Sequence, residues 1–233
     1  MGSPRPFAFC YFTACFSRCR SSASGCESAL SKFSISVLII TIGMIVGAMF
    51  VPPAVAIMMP IVCVVMLLVA MFARWRQRES EGSFISMKFV YVFAALEGVG
   101  LYPIVMAYTQ AIGAKLVLGA VAITFVLFFG LATYAKRTER NFLNIGSILF
   151  GALLILILAS IVGLFVQATI LQTAICAGGI FVFSGYVLYD IQVMKSGYLT
   201  EDDVPMMVLN LFLDWINLFL YILRLIGLFA ADN

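Results

Sequence analysis

Apolar runs recur from residue 33 to the end of the chain, with no soluble-sized interval between them. A helix needs about twenty apolar residues to cross a bilayer. By that measure the chain carries roughly seven windows, at 33–51, 54–73, 86–109, 112–134, 142–165, 168–194 and 205–229. Three of the connections are short. "VPP" at 51–53 suits a helix start, because proline there gives up no hydrogen bond, and "TQAIG" (109–113) and "FVQAT" (165–169) are equally brief. The other three, "RWRQRESEG", "AKRTER" and "KSGYLTEDDVP", are longer and charged. The pattern predicts one all-α membrane bundle.

The charges follow the same alternation. Arg74, Arg76, Arg78, Lys88, Lys136, Arg137, Arg140 and Lys195 flank the second, fourth and sixth connections, and Arg5, Arg18, Arg20 and Lys32 precede the first window. The short connections together offer only Lys115. Basic residues are retained on the cytoplasmic side, so the N-terminus is expected there and the C-terminus on the opposite side. Residues 1–30 are rich in Ser, Cys and Arg with one acidic residue, Glu27. They read either as a targeting segment or as a poorly ordered extension to a transmembrane domain at 31–233.

Composition narrows the chemistry. The chain is 64% hydrophobic and 11% charged, with a mean hydropathy of +1.11, whereas soluble domains are about 25% charged. A dispersed net charge of +3 gives no nucleic-acid footprint. With no histidine at all, imidazole metal sites, Ser-His and Cys-His catalysis and the usual near-neutral pH switch are absent. Cys10, Cys15, Cys19 and Cys26 lack CxxC spacing, and Cys63 and Cys176 fall inside apolar windows as small buried hydrophobes. There is no P-loop, GxSxG or HExxH motif, and the aspartates lack the full YD/GxGD pattern of intramembrane proteases, so no enzyme and no cofactor are expected. Proton chemistry must run through carboxylates.

A charge at a helix centre costs roughly 2.5–3.5 kcal/mol on insertion scales and is a functional hypothesis by default. Glu97, Asp190, Asp214 and Arg224 lie inside the windows. At about 100° per residue, Asn210, Asp214, Asn217, Tyr221 and Arg224 share one stripe about 80° wide on the last helix, which must face protein or water. On the preceding helix Cys176, Gly179, Phe183, Tyr186 and Asp190 share a face where small residues permit close approach. Antiparallel packing of the two brings Asp190 towards Asp214. Close together in low dielectric, two carboxylates titrate as a coupled unit, a pH sensor without histidine, and their oxygens suit Ca²⁺ transiently. Alternatively, Asp190 pairs with a membrane-edge Lys or Arg. Arg74 and Arg76 are the natural counter-charges, unless they snorkel to the headgroups. Glu97 stands beside Gly98, Gly100 and Pro103 in a helix expected to be loosened and kinked; it either lines an ion path or hydrogen-bonds a neighbouring helix.

"FSGYVLYDIQ" followed by "VPMMVLNLFLDWINLFLYILRLIG" resembles the C-terminal signature of the transmembrane Bax-inhibitor-motif family. "MFVP", "FVYVF" and "LYPIV" are similar to its bacterial YetJ-like branch, and the resemblance spans roughly residues 33–231. It implies two three-helix layers around a central C-terminal helix, and a monomeric, pH-sensitive calcium-leak channel in a bacterial cell membrane, with lipid and calcium ions as its partners. It also implies that Asp190 and Asp214 form the pH-sensing pair, latched by Arg76 by spacing from Pro60, or by Arg74 if the helix end is shifted. Two other classes stay open: a membrane-embedded regulator of stress, cell death or proteolysis that works through contacts with membrane proteins, and a proton-coupled transporter.

Overall fold

The computed structural model describes the backbone of residues 8–76, 85–166, 168–196 and 203–231, and the side chains of the same segments except 8–27 and 71–76. The described residues are helical with short connections and contain no strand. The helices are α1 (Ala8–Phe50), α2 (Pro53–Ala56), α3 (Met59–Arg76), α4 (Met87–Ile112), α5 (Ala114–Arg137), α6 (Gly146–Phe165), α7 (Thr169–Lys195) and α8 (Val204–Ala231), with a 3-10 turn at Leu143–Ile145 before α6. Among the described residues seven segments are long and apolar enough to cross a membrane. Helix α1 runs on through residue 30 without a break, so the compositional boundary there is not a boundary of secondary structure.

The second span is not the single helix expected over 54–73. It breaks between α2 and α3, and Pro60 is the cause: it has no N–H for the carbonyl of Ala56 four residues earlier, and its ring crowds that carbonyl. The chain closes the gap with tighter bonds, Met58 N to Val55 O at 3.1 Å and Ile61 N to Met58 O at 3.1 Å. Helix α4, by contrast, is continuous through Pro103. The turn from α4 to α5 is one residue, Gly113, at φ 89°, a conformation that only glycine adopts without strain.

Three helices pack as α1–α4–α3 and three as α5–α7–α6, and α8 touches α1, α4, α5 and α7. The two layers around a central C-terminal helix follow directly. Helix α8 is 61% buried over its most apolar window, against 17% for the second and fifth spans, whose outer faces are left exposed and apolar. Aromatic pairs knit the layers to the centre and to each other: Phe93 meets Phe212 edge-on at 6.2 Å, Phe125 meets Trp215 at 5.6 Å, and between the layers Phe33 of α1 stacks on Phe128 of α5 at 4.9 Å.

Glycines bring the backbones together, as expected where hydrocarbon solvent removes the usual driving force and packing must supply it. A Cβ on Gly43 would stand 2.5 Å from the Ala95 carbonyl oxygen, and one on Gly98 would stand 2.3 Å from that of Ile40. A Cβ on Gly100 would meet the Pro60 ring at 2.8 Å. Gly98 and Gly100 therefore do not loosen α4; they seat it against α1 and α3.

Trp215 is buried between Phe125 and Phe219, and among the described residues its indole Nε1 has no hydrogen-bond partner. Trp215→Phe keeps the ring packing and removes the orphaned donor. Thermal unfolding in detergent is expected to change by no more than about 1 kcal/mol, or to improve, whereas Trp215→Ala should cost about 3–5 kcal/mol.

Candidate functional site

Helices α7 and α8 are antiparallel, as two cross-contacts fix, Gln172 with Arg224 and Gly179 with Tyr221, and in the same order Asp190 comes within electrostatic reach of Asp214. The register follows from Gly179, whose missing Cβ leaves the space that the Tyr221 ring fills at 2.7 Å. Asp190 and Asp214 are each 5% exposed. The charge of Asp190 reaches Asp214, and Tyr186, one turn before Asp190, lies in the field of both. Oδ2 of Asp214 is fully buried, and among the described residues nothing donates a hydrogen bond to it. A carboxylate left so is costly; a proton held between two facing carboxylates would relieve both the repulsion and the missing bond.

Beyond the pair, towards the short-connection end, aromatic rings close the α7–α8 seam. Tyr186 and Phe183 lie 6.1 Å apart, and Phe183 stacks on Tyr221 at 5.9 Å. The stripe expected on α8 is thus divided. Asp214, Tyr221 and Arg224 face α7, whereas Asn217 turns its amide onto its own helix and donates to the Leu213 carbonyl at 2.8 Å. Asn210 is partly buried on the same helix.

Arg224 donates to the side-chain oxygen of Gln172, whose amide nitrogen donates in turn to the Gly163 carbonyl at 2.7 Å. Glu97 belongs to a different interface. Its partner is the Cys63 thiol of α3, within hydrogen-bonding reach, and it is not among the charges that reach Asp214. Glu97 thus contacts a neighbouring helix across the α3–α4 interface. Arg74 and Arg76 end α3, and their side chains lie outside those described.

Two glutamines escape a search for charges alone. Gln172 anchors Arg224. Gln192, two residues after Asp190, staples the 138–142 connection to α7: Phe142 N donates to its Oε1 at 2.5 Å, its Nε2 donates to the Arg140 carbonyl, and Lys195 Nζ donates to the Thr138 carbonyl at 3.1 Å. An uncharged amide inside or beside an apolar span was the available signal. Gln192→Ala leaves two backbone groups unpaired and should cost about 1–2 kcal/mol, checked as faster hydrogen exchange across 138–142.

The class is now defined: a multi-pass α-helical membrane protein with two buried aspartates, one on the central helix α8 and one on its neighbour α7. Its sequence matches the family described as inhibitor of apoptosis-promoting Bax1 over residues 27–231, and the chain belongs to that Bax inhibitor-like family. It is 30% identical over 160 residues to an uncharacterized protein of Campylobacter jejuni, covering 68% of this chain and 67% of that one. It is 33% identical over 146 residues to Bax inhibitor 1 of Schizosaccharomyces pombe (62% and 53% covered). With the Golgi anti-apoptotic protein of vaccinia virus it shares 37% identity over 110 residues (47% and 46% covered).

Proposed function

We propose that the chain is a pH-sensitive calcium-leak channel of the YetJ-like kind, working as a monomer in a bacterial cell membrane with its N-terminus cytoplasmic. The observation that carries this reading is the orphaned, fully buried oxygen of Asp214 beside the charge of Asp190. A group so placed is poised between a proton-bridged pair, which ties α7 to α8, and an ionised pair, which repels and offers hard oxygens to a passing cation. Among the described residues no third acidic, histidine or cysteine ligand joins the pair to hold a metal. Ca²⁺ takes six to eight oxygens, so the arrangement suits transient contact with a partly hydrated permeant ion, not storage. Separation of α7 from α8 would part Phe183 from Tyr221 and expose the stripe of Asp214, Tyr221 and Arg224, a two-state shift set by protonation. Arg76 or Arg74, at the same charged-loop end, supplies the latching counter-charge. Glu97, at the α3–α4 interface, is a further carboxyl that would line the ion path.

Proteoliposomes loaded with a calcium dye test this from about pH 5 to pH 8. Calcium entry above that of protein-free vesicles, varying with pH, supports the channel. Entry equal to the protein-free leak at every pH contradicts it.

A second reading rests on the names of relatives, Bax inhibitor 1 and the Golgi anti-apoptotic protein: a regulator of cell death or stress that acts through contacts with other membrane proteins. It predicts activity that survives neutralising both aspartates and fails when lipid-facing residues of the second or fifth span are changed.

A further inference from the structure

Among the described residues Arg224 is a cation without an anion. It is partly buried, its hydrogen-bond partner is the neutral Gln172, and the other groups in its field are the Tyr108 phenol and the Cys176 thiol. Among the described residues no carboxylate pairs with it. An unneutralised charge in a span is costly, and Gln172 supplies only a dipole. Beside the guanidinium lies a cavity of about 300 Å³ walled by Tyr108, Ala111 and Ile112 of α4 and by Arg224, Gly227 and Leu228 of α8. The Tyr108 ring enters against Gly227, where a Cβ would meet it at 2.6 Å. Apart from Arg224 and the Tyr108 hydroxyl, those walls are alkyl groups and backbone.

Depth decides what can enter. Helix α8 has 28 residues, about 42 Å at 1.5 Å per residue, so each end extends roughly 6 Å beyond a ~30 Å hydrocarbon core. Arg224 stands seven residues before Ala231, about 10 Å from the helix end and so just inside the hydrocarbon edge. The long side chain can hold its charge at the level of lipid phosphates. An inorganic anion would gain the guanidinium but waste the alkyl walls; a zwitterionic lipid brings its own cation.

We propose that this cavity, between the ends of α4 and α8 farthest from the charged connections, binds one net-anionic phospholipid, its phosphate forked on Arg224 and its upper acyl chain against Ile112 and Leu228. The bound lipid neutralises Arg224 and pins α4 to the central helix. A phosphodiester matches the guanidinium fork with two parallel bonds and one balancing charge.

The full-length chain in neutral detergent, mixed with phosphatidylglycerol or phosphatidylcholine, tests this by native mass spectrometry and thermal unfolding. One phosphatidylglycerol is expected to remain per chain in preference to phosphatidylcholine, and to raise the melting temperature more. Arg224→Gln should weaken retention at least about tenfold, and Arg224→Lys should restore part of it. Ala111→Phe, which leaves Arg224 intact and fills the cavity, should lose the same preference. Equal retention of the two lipids by the wild type, or undiminished preference in both Arg224→Gln and Ala111→Phe, overturns the proposal. So does a melting shift from inorganic phosphate equal to that from phosphatidylglycerol, which would make the site one for free anions. Calcium flux need not be measured, so failure here is separable from failure of the channel reading.

Discussion

Proteoliposomes carrying the Asp214→Asn chain are expected to pass calcium at a rate that no longer responds to pH. The amide keeps the size of the carboxyl, so α7 and α8 should stay packed through Gly179 and the Phe183–Tyr221 stack. What is lost is the ionisable partner. One titrating proton can bias an opening equilibrium by up to about tenfold per pH unit, and removing it should flatten the flux to within about twofold across the whole range. The sign of the wild-type slope identifies the conducting form: flux rising with pH marks the doubly ionised pair as open, and flux falling with pH marks the protonated pair. A variant that retained the wild-type slope would move the sensor elsewhere. Glu97 would be the next carboxyl to test, because it is the other acidic group within the described spans and sits on a separate interface with Cys63.

The second large effect concerns folding. Gly98→Leu should abolish the folded bundle or lower its stability by about 3 kcal/mol or more. Even the first carbon of the new side chain would stand 2.3 Å from the Ile40 carbonyl oxygen and 3.0 Å from the Met44 nitrogen, both backbone atoms that cannot rotate away. Helices α1 and α4 would have to separate along the most extensive contact in the molecule. Gly119→Leu and Gly130→Leu are the controls. Neither position has an atom within 4 Å of an added Cβ, and both should fold normally with stability changed by less than about 0.5 kcal/mol. Monodispersity in detergent and the melting temperature of each variant check the contrast. Equal damage at Gly98 and Gly119 would contradict the packing described.

The architecture was legible because the bilayer imposes it. Span length and charge alternation are one-dimensional properties, and they located the spans to within a few residues at most ends. The face shared by Gly179, Phe183, Tyr186 and Asp190 was readable too, since helical period alone aligns those residues. What was not readable depends on the partner helix. Pro60 lay in plain view, yet prolines are tolerated within membrane helices, and only the structure reveals that α2 and α3 part there. Gly98 and Gly100 beside Glu97 suggested a loosened helix; their purpose emerges from the Ile40 carbonyl and the Pro60 ring opposite them. The division of the α8 stripe was hidden for the same reason. Asn217 satisfies itself on Leu213, while Arg224 needs Gln172, a residue that carries no charge and so drew no notice.

The central claim is that Asp190 and Asp214 act as one titrating unit. The most direct test is a double-mutant cycle of calcium flux against pH, comparing the wild type with Asp190→Asn, Asp214→Asn and the double variant in the same vesicles. If the two carboxyls share a proton, either single substitution removes the whole pH response and the second adds nothing, because neither residue titrates independently of the other. Two separate partial losses that sum to the effect of the double variant would contradict it.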